Sequence, residues 1–357
     1  MRIEMFVPPA FTPRSLDLKH LTQVTGKEWH YAPFGRVALY RILERLRPDK
    51  ILIPVYICAS VLEPLQRLGI EPIFYDLDPR DLNASAESIL FLSEKYQVKT
   101  VLVASMYGNP ADLIRISELC RQNGIFMIDD AAQSFGATLE GKMVGTFGDA
   151  GFFSFSPGKP TAGHMGSFFW TDHEVKEGKK SDFLYHYLKW KDFELNRLKI
   201  YARKPYRKFF NYLFRLYNRL SDPYKEQRMV LFENRILGGI LHDLLAGNFD
   251  FRTRYATLFR TTIEENPYFR VLRAQRGNSA EHKIVLIFYE ERVLQKFRRY
   301  LAEKGIFSME GYRMLAQNRR YLKNAQTVEN RILELPIEND AQKMAYMIDK
   351  VADFVRD

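Results

Sequence analysis

The chain has 357 residues, of which 46% are hydrophobic and 27% charged, with a formal net charge of +10. This is the balance of an ordinary folded protein, which excludes a disordered or fibrous chain, and no stretch approaches the length of a membrane span. The N-terminal MRIEMFVPPAFTPR lacks the apolar run of a signal peptide, and the two cysteines, Cys58 and Cys120, have no metal-ligand spacing and are too few for a disulfide framework. A cytoplasmic protein without a metal site is expected.

From about residue 36 the sequence alternates helical and strand patterns. GRVALYRILERLRPDK has helical spacing after a glycine, KILIPVY reads as a buried strand, ASVLEPLQRLGI as a helix ending at glycine, and EPIFYDLD as the next strand. The alternation continues through AESILFLSEKYQ, TVLVASMY, ADLIRISELCRQNG, IFMIDDAAQ and GFFSFS. Continuous apolar strands separated by single helices predict an α/β fold, a mainly parallel sheet flanked by helices on both faces. Such sheets bind ligands at the carboxyl ends of their strands.

After SFFWTD the pattern changes. Residues 176–230 mix aromatic and basic residues in two or three apparent helices, and their fifteen Lys or Arg against six Asp or Glu carry nearly all of the net charge. From about 250 a smaller α/β unit follows, with EHKIVLIFY and RILELPI as strands and EERVLQKFRRYLAEKGI and DAQKMAYMIDKVADFVRD as helices. The expected organisation is a large domain over 1–249 and a small C-terminal domain over 250–357.

Lys159 sits just past GFFSFS, at the carboxyl end of a predicted strand. A partly buried lysine there can act as a nucleophilic amine that forms a Schiff base, because burial favours the neutral form. The plain alternative is a solvated loop lysine. Asp129 and Asp130 follow GIFMI at the end of another strand. One of them can hold a ring nitrogen protonated, or else can cap the next helix. A lysine for a cofactor carbonyl and an aspartate for its ring nitrogen are the two protein contributions that pyridoxal 5'-phosphate chemistry requires. Its phosphate suits a helix N-terminus, and Gly35 and Arg36 open the first helix of the sheet domain, with the Ser154 hydroxyl near Lys159 in sequence. Gly35 alone reads equally well as a helix boundary.

With these pieces in line, the chain resembles the DegT/DnrJ/EryC1/StrS family of sugar aminotransferases, pyridoxal phosphate enzymes of fold type I. FGRVALYRIL, ILIPVYICASVLEPLQRLGIEPIFYDLDPRDLN, ASMYGNPADL, IDDAAQSFGATLEGKMVGTFGDAGFFSFSPGK and ILELPIENDAQKMAYMIDKV are similar to the family's segments in the same order. The resemblance implies that Lys159 holds the cofactor covalently and serves as acid and base of the 1,3-proton shift. It implies that Asp130 pairs with the pyridine nitrogen, Gln133 meets the ring hydroxyl and Ser154 binds the phosphate. Asn234 is similar in place to an asparagine lent to the neighbouring subunit's phosphate, and a homodimer with shared sites is implied.

The sequence departs from the family at several points. Cys58 stands where an aromatic residue usually stacks on the cofactor ring, Arg36 where a small polar residue follows the first glycine, and Ser105 where a histidine commonly precedes the Tyr-Gly turn. The glycine-rich stretch after the lysine is thinned to Gly163, His164, Met165, Gly166 and Ser167, and segment 176–230 exceeds the usual connection. That segment reads either as a basic surface for an acidic partner, a nucleotide diphosphate or an anionic membrane, or as an extra helical layer with core aromatics and solvated charges. No nucleic-acid-binding module is recognised.

The expected activity is transfer of an amino group, from L-glutamate, to a nucleotide-linked keto-sugar in polysaccharide, lipopolysaccharide or secondary-metabolite sugar synthesis. The alternatives are another pyridoxal phosphate reaction on a sugar, elimination or dehydration, and a degenerate relative that binds a partner through its basic segment. Dehydratases of the family typically replace the lysine with histidine, and here the lysine is present.

Overall fold

The computed structural model describes residues 1, 3, 18–156, 159, 166–173, 212, 238–239, 241–242, 247, 250–263, 265–316 and 320–356. Asn234 and, apart from Tyr212, the basic segment 176–230 lie outside the described residues.

After α1 (Leu18–Thr25) and β1 (His30–Ala32) the helix and strand alternation begins. It runs through α2 (Gly35–Leu46), β2 (Lys50–Pro54), α3 (Leu62–Leu68), β3 (Glu71–Tyr75), α4 (Ala86–Tyr96), β4 (Thr100–Ala104), α5 (Leu113–Gln122) and β5 (Phe126–Asp130). A two-stranded hairpin, β6 (Thr138–Leu139) and β7 (Lys142–Met143), precedes β8 (Ala150–Phe152) and β9 (Ser167–Thr171). The main sheet has the order β1-β9-β8-β5-β4-β2-β3, parallel from β3 to β8 and antiparallel at β9 and β1.

The strands read as unbroken apolar runs because both faces of the sheet are covered. Ile51, Ile53, Leu102 and Ile128 pack with Val37, Ala38 and Ile42 of α2 on one face. Leu52, Val101, Val103 and Met127 pack with Ile89 and Leu92 of α4 and Leu113 and Ile116 of α5 on the other. Successive strand residues point to opposite faces, so the same alternation assigns Asp130 to the α2 face and Asp129 to the α4 and α5 face.

The strand expected over GFFSFS is shorter than the apolar run. Its parallel pairing with β5 ends at Phe152 opposite Asp130, where the Ala131 amide donates to the Phe152 carbonyl and β5 turns away. Phe153 and Phe155 still donate their amides to the carbonyls of Phe168 and Gly166 on the β9 side. Freed of β5 but still bonded on the β9 side, the chain brings Ser154, Ser156 and Lys159 to the carboxyl edge of the sheet.

A second sheet of order β10-β11-β13-β12 is antiparallel throughout, with β10 at Phe269–Val271, β11 at Ile284–Phe288, β12 at Met309–Glu310 and β13 at Ile332–Leu335. Helices Phe251–Thr262, Glu291–Glu303 and Ala341–Arg356 cover it through Phe259, Leu294, Phe297, Leu301, Met344 and Met347. The two sheets are tied near the carboxyl end of β3, where Asp76 accepts the amides of Asn324 and Ala325, each at 2.9 Å, at the start of helix Lys323–Val328. Arg276 adds ion pairs to Asp81 at 3.2 Å and Asp112 at 3.5 Å.

Candidate active site

The chain order reverses direction across the sheet between β2 and β4, because β3 lies to one side of β2 and β4 to the other. In open α/β sheets a crevice forms outside the carboxyl ends at such a point. Here it holds a cavity of about 580 Å³. The loop after β2 supplies Ile57, Cys58 and Ser60, the loop after β4 Ser105 and Met106, the end of β5 Asp130 and Gln133, and the chain after β8 Ser154, Ser156 and Lys159. Gly35 and Arg36 reach it from α2, and Lys283, Glu310, Tyr312, Arg313 and Glu334 close it from the second sheet. Of the residues singled out in the sequence, Gly35, Arg36, Cys58, Asp130, Gln133, Ser154 and Lys159 are brought together; Asn234 lies outside the described residues.

Asp130 is buried and its Oδ1 accepts the Ala132 amide at 2.9 Å. Burial raises its pKa to about 6, against the pull of that amide and of Lys159. Lys159 is shifted the other way: burial lowers its pKa, and Asp130 opposes the shift. A carboxyl made reluctant to ionise and an amine made ready to lose its proton face one cavity, so each is poised to accept a partner of complementary charge or an electrophile.

Asp129 has a different task. On the opposite face its Oδ2 accepts the amides of Gly145 at 2.8 Å and Phe147 at 3.0 Å, which fixes the loop before β8. Burial pushes its pKa to about 7, and its Oδ1 has no hydrogen-bond partner among the described residues.

At the other end of the cavity, α2 begins at Gly35. Its N-cap residue Phe34 makes no side-chain cap, and the Val37 and Ala38 amides both return to the Phe34 carbonyl. The preceding amides of Gly35 and Arg36 have no carbonyl in the helix to reach, and the helix dipole adds partial positive charge there. A Cβ on Gly35 would come within 3.2 Å of Ser154 Cβ and 3.3 Å of its Oγ. The missing side chain lets the helix end and the Ser154 hydroxyl meet, forming a cradle for an anion. The Arg36 guanidinium is turned aside, with Nε 3.0 Å from Glu63 Oε2 and its centre 4.3 Å above the Phe34 ring. Its charge is therefore shared with Glu63.

Gln133 is oriented by an unambiguous contact, since its Oε1 accepts the Tyr107 amide at 3.2 Å. Cys58 lies on the wall with Sγ 3.1 Å from Ser60 Oγ. Ser105, in the place of the family's histidine, is buried, with Oγ accepting the Ala111 amide at 3.1 Å and its carbonyl accepting the Ser134 hydroxyl at 2.6 Å, so its role is to shape the loop after β4.

Sequence reasoning did not single out the wall from the second sheet. Glu334 of β13 accepts the Tyr107 hydroxyl at 2.7 Å and pairs with the Lys283 ammonium, while Tyr107 and Tyr56 hydroxyls lie 2.6 Å apart. Glu334 and Lys283 were findable only as charges in otherwise apolar strand-like runs, RILELPI and EHKIVLIFY.

Residues 37–193 match the sequence model of the DegT/DnrJ/EryC1/StrS aminotransferase family. The chain is 30% identical over 155 residues to GDP-perosamine synthase of Vibrio cholerae, covering 42% of this chain and 40% of that protein. It is 33% identical over 138 residues to UDP-N-acetyl-3-dehydro-alpha-D-glucosamine 3-aminotransferase of Acidithiobacillus ferrooxidans, covering 38% and 37%. These matches span about two fifths of the length of those relatives. In fold the chain is similar to the E coli GDP-4-keto-6-deoxy-D-mannose-3-dehydratase with bound hydrated PLP, with a TM-score of 0.72 at 18% identity over 97% of this chain and 100% of that one. The fold is the type I fold of pyridoxal phosphate enzymes, as the sequence led us to expect.

Proposed function

We propose that this chain, whose residues 37–193 match the model of the DegT/DnrJ/EryC1/StrS aminotransferase family, is a pyridoxal 5'-phosphate-dependent aminotransferase acting on a nucleotide-linked keto-sugar. The observation that carries the reading is the convergence on one cavity of Lys159, Asp130 and the uncapped start of α2 beside Ser154. The donor set fits the cofactor group by group. Lys159 offers an amine of lowered pKa to its aldehyde, Asp130 an otherwise costly buried carboxylate to its ring nitrogen, Gln133 an NH₂ to its ring hydroxyl, and the Gly35 and Arg36 amides with Ser154 a cradle for its phosphate. When bound, pyridoxal phosphate supplies the electron-withdrawing ring that takes an amino group from a donor and passes it to an acceptor carbonyl. The Lys159 amine would serve as the acid and base that moves a proton beside the donor carbon, and Asp130 would face the ring nitrogen and hold its proton.

The relatives named above carry GDP- and UDP-linked sugars in their names, which supports a nucleotide-linked keto-sugar as acceptor. Arg313, exposed at the mouth of the cavity, makes no ion pair among the described residues and can meet an anionic part of such a substrate. Glutamate as donor, a homodimer lending Asn234 across its interface, a cytoplasmic location and a division of the chain near residue 250 belong to the same proposal. Among the described residues no helix is long and apolar enough to cross a membrane. Contact of segment 176–230 with an anionic surface would be seen as sedimentation with acidic vesicles that neutral vesicles do not support.

A second reading, sugar dehydration, is favoured by the dehydratase among the fold's neighbours. Lys159, present where dehydratases of the family typically carry histidine, speaks for amino transfer. The test is borohydride reduction of the protein loaded with pyridoxal phosphate, followed by peptide mapping. The adduct is expected on the peptide containing Lys159 and absent from Lys159→Ala; an adduct on another lysine would overturn the assignment.

A further inference from the structure

The strongest unexplained feature of the cavity is the polar chain that runs through Tyr107. Glu334 accepts the Tyr107 hydroxyl at 2.7 Å, so the only hydroxyl hydrogen of Tyr107 is spent there. The 2.6 Å contact with Tyr56 must then be donated by Tyr56, whose oxygen in turn accepts the Tyr312 amide at 3.1 Å. Gly311 permits this approach, since a Cβ there would lie 2.3 Å from the Tyr56 hydroxyl. Lys283, just before β11, pairs with Glu334 and supplies the compensating charge. All of Tyr56, Tyr107, Lys283 and Glu334 are buried.

The other end of Tyr107 touches the proposed cofactor site. Its backbone is left-handed, φ 57° and ψ 22°, which costs a residue other than glycine roughly 1–2 kcal/mol. That conformation aims the Tyr107 amide at Gln133 Oε1, 3.2 Å away. An amide N–H can only donate, so an oxygen must face it and the Gln133 NH₂ is turned elsewhere, its one hydrogen-bond contact among the described residues being the weak acceptor Met106 Sδ at 3.7 Å. Gln133 and Met106 both line the cavity. A strained turn holds its shape only where its surroundings over-determine it. Here the carbonyls of Tyr107 and Gly108 accept the amides of His282 at 3.2 Å and Ala280 at 3.0 Å, and the hydroxyl is held by Glu334.

We propose that Glu334, with Lys283 as its counter-ion, is a positioning residue: through the Tyr107 hydroxyl it holds the left-handed turn that fixes Gln133 with its NH₂ toward the cavity. What that NH₂ meets, the cofactor's ring oxygen, rests on the function proposed above; the mechanical link does not.

Two readouts separate the two. In cofactor-free protein, hydrogen–deuterium exchange of peptides covering 105–109 is expected to rise in Tyr107→Phe and in Glu334→Gln, with β5 unchanged. Tyr107→Phe keeps the ring and leaves the Lys283 and Glu334 pair intact, so it serves if Glu334→Gln folds poorly. Pyridoxal phosphate affinity, titrated by fluorescence, is expected to weaken about tenfold in either variant and by less than about twofold when the same change is made in Gln133→Ala. Unchanged exchange at 105–109 in both variants overturns the proposal, as does a full loss of affinity in the Gln133→Ala background, which would show that Gln133 is not the residue being positioned. If the native protein fails to bind pyridoxal phosphate while exchange at 105–109 rises as expected, the cofactor reading falls, and with it the role given to Gln133, whereas the hold of Glu334 on the turn stands.

Discussion

Adjacent aspartates at the end of β5 end up with unlike tasks because a strand sends successive side chains to opposite faces. Asp130 enters the cavity, and Asp129 holds the loop at Gly145 and Phe147. The second task has a consequence for stability. Burial raises the folded pKa of Asp129 from 3.8 to about 7, so the folded chain binds this proton more tightly than the unfolded chain does. Its contribution is therefore most favourable at low pH and is lost as pH rises from about 4 to about 7. Asp130, raised to about 6, acts in the same direction over a narrower range. Asp129→Asn keeps an oxygen for the two amides and cannot ionise. Its melting temperature relative to the native protein should climb between pH 5 and pH 8, by an amount corresponding to roughly 2–4 kcal/mol; a difference independent of pH would contradict this account. Lys159 gives a kinetic counterpart. Its lowered pKa makes the neutral amine available below the usual lysine range, so capture of pyridoxal phosphate should accelerate with pH through that range and vanish in Lys159→Ala, as followed by stopped-flow absorbance.

At the scale of the elements, the site depends on close approaches that only glycine allows. The Gly35 end of α2 sits against Ser154, and β8 lies so near the preceding loop that a Cβ on Gly151 would come 2.1 Å from the Gly145 carbonyl, the acceptor of the Trp170 indole at 2.7 Å. Gly151→Ala cannot be absorbed by a flexible side chain, because the obstacle is backbone. It should cost about 3 kcal/mol or more in a denaturant titration, and a loss within error of zero would show that the loop can yield. Gly35→Ala meets a softer obstacle. It should leave the melting temperature nearly unchanged while weakening pyridoxal phosphate about tenfold by crowding the cradle, and equal affinity would remove the helix end from the phosphate site. These elements were legible in the sequence, since apolar runs, helical spacing and terminal glycines are local signals. The end of β8 was not, because where a strand stops depends on where its neighbour turns, and β5 leaves at Asp130.

Across the whole molecule, legibility divides along the same line. Lys159, Asp130, Gln133 and Ser154 fall within a single stretch of sequence and could be recognised from it. The opposite wall could not, because Tyr107 and Glu334 are 227 residues apart and Tyr56 and Tyr312 are 256 apart. No periodicity joins such residues, and Glu334 and Lys283 look like misplaced charges until the two sheets are brought together. Through them the second sheet becomes part of the site and not merely its neighbour. The central claim remains that this cavity transfers an amino group. It is tested most directly by the near-visible absorbance of the protein loaded with pyridoxal phosphate, before and after L-glutamate, with Lys159→Ala alongside. The account predicts a lysine-dependent band that glutamate converts to the spectrum of pyridoxamine phosphate, with one 2-oxoglutarate formed for each site converted. A lysine-dependent band that glutamate and other amino acids leave untouched would contradict it and leave a pyridoxal phosphate protein that is not an aminotransferase.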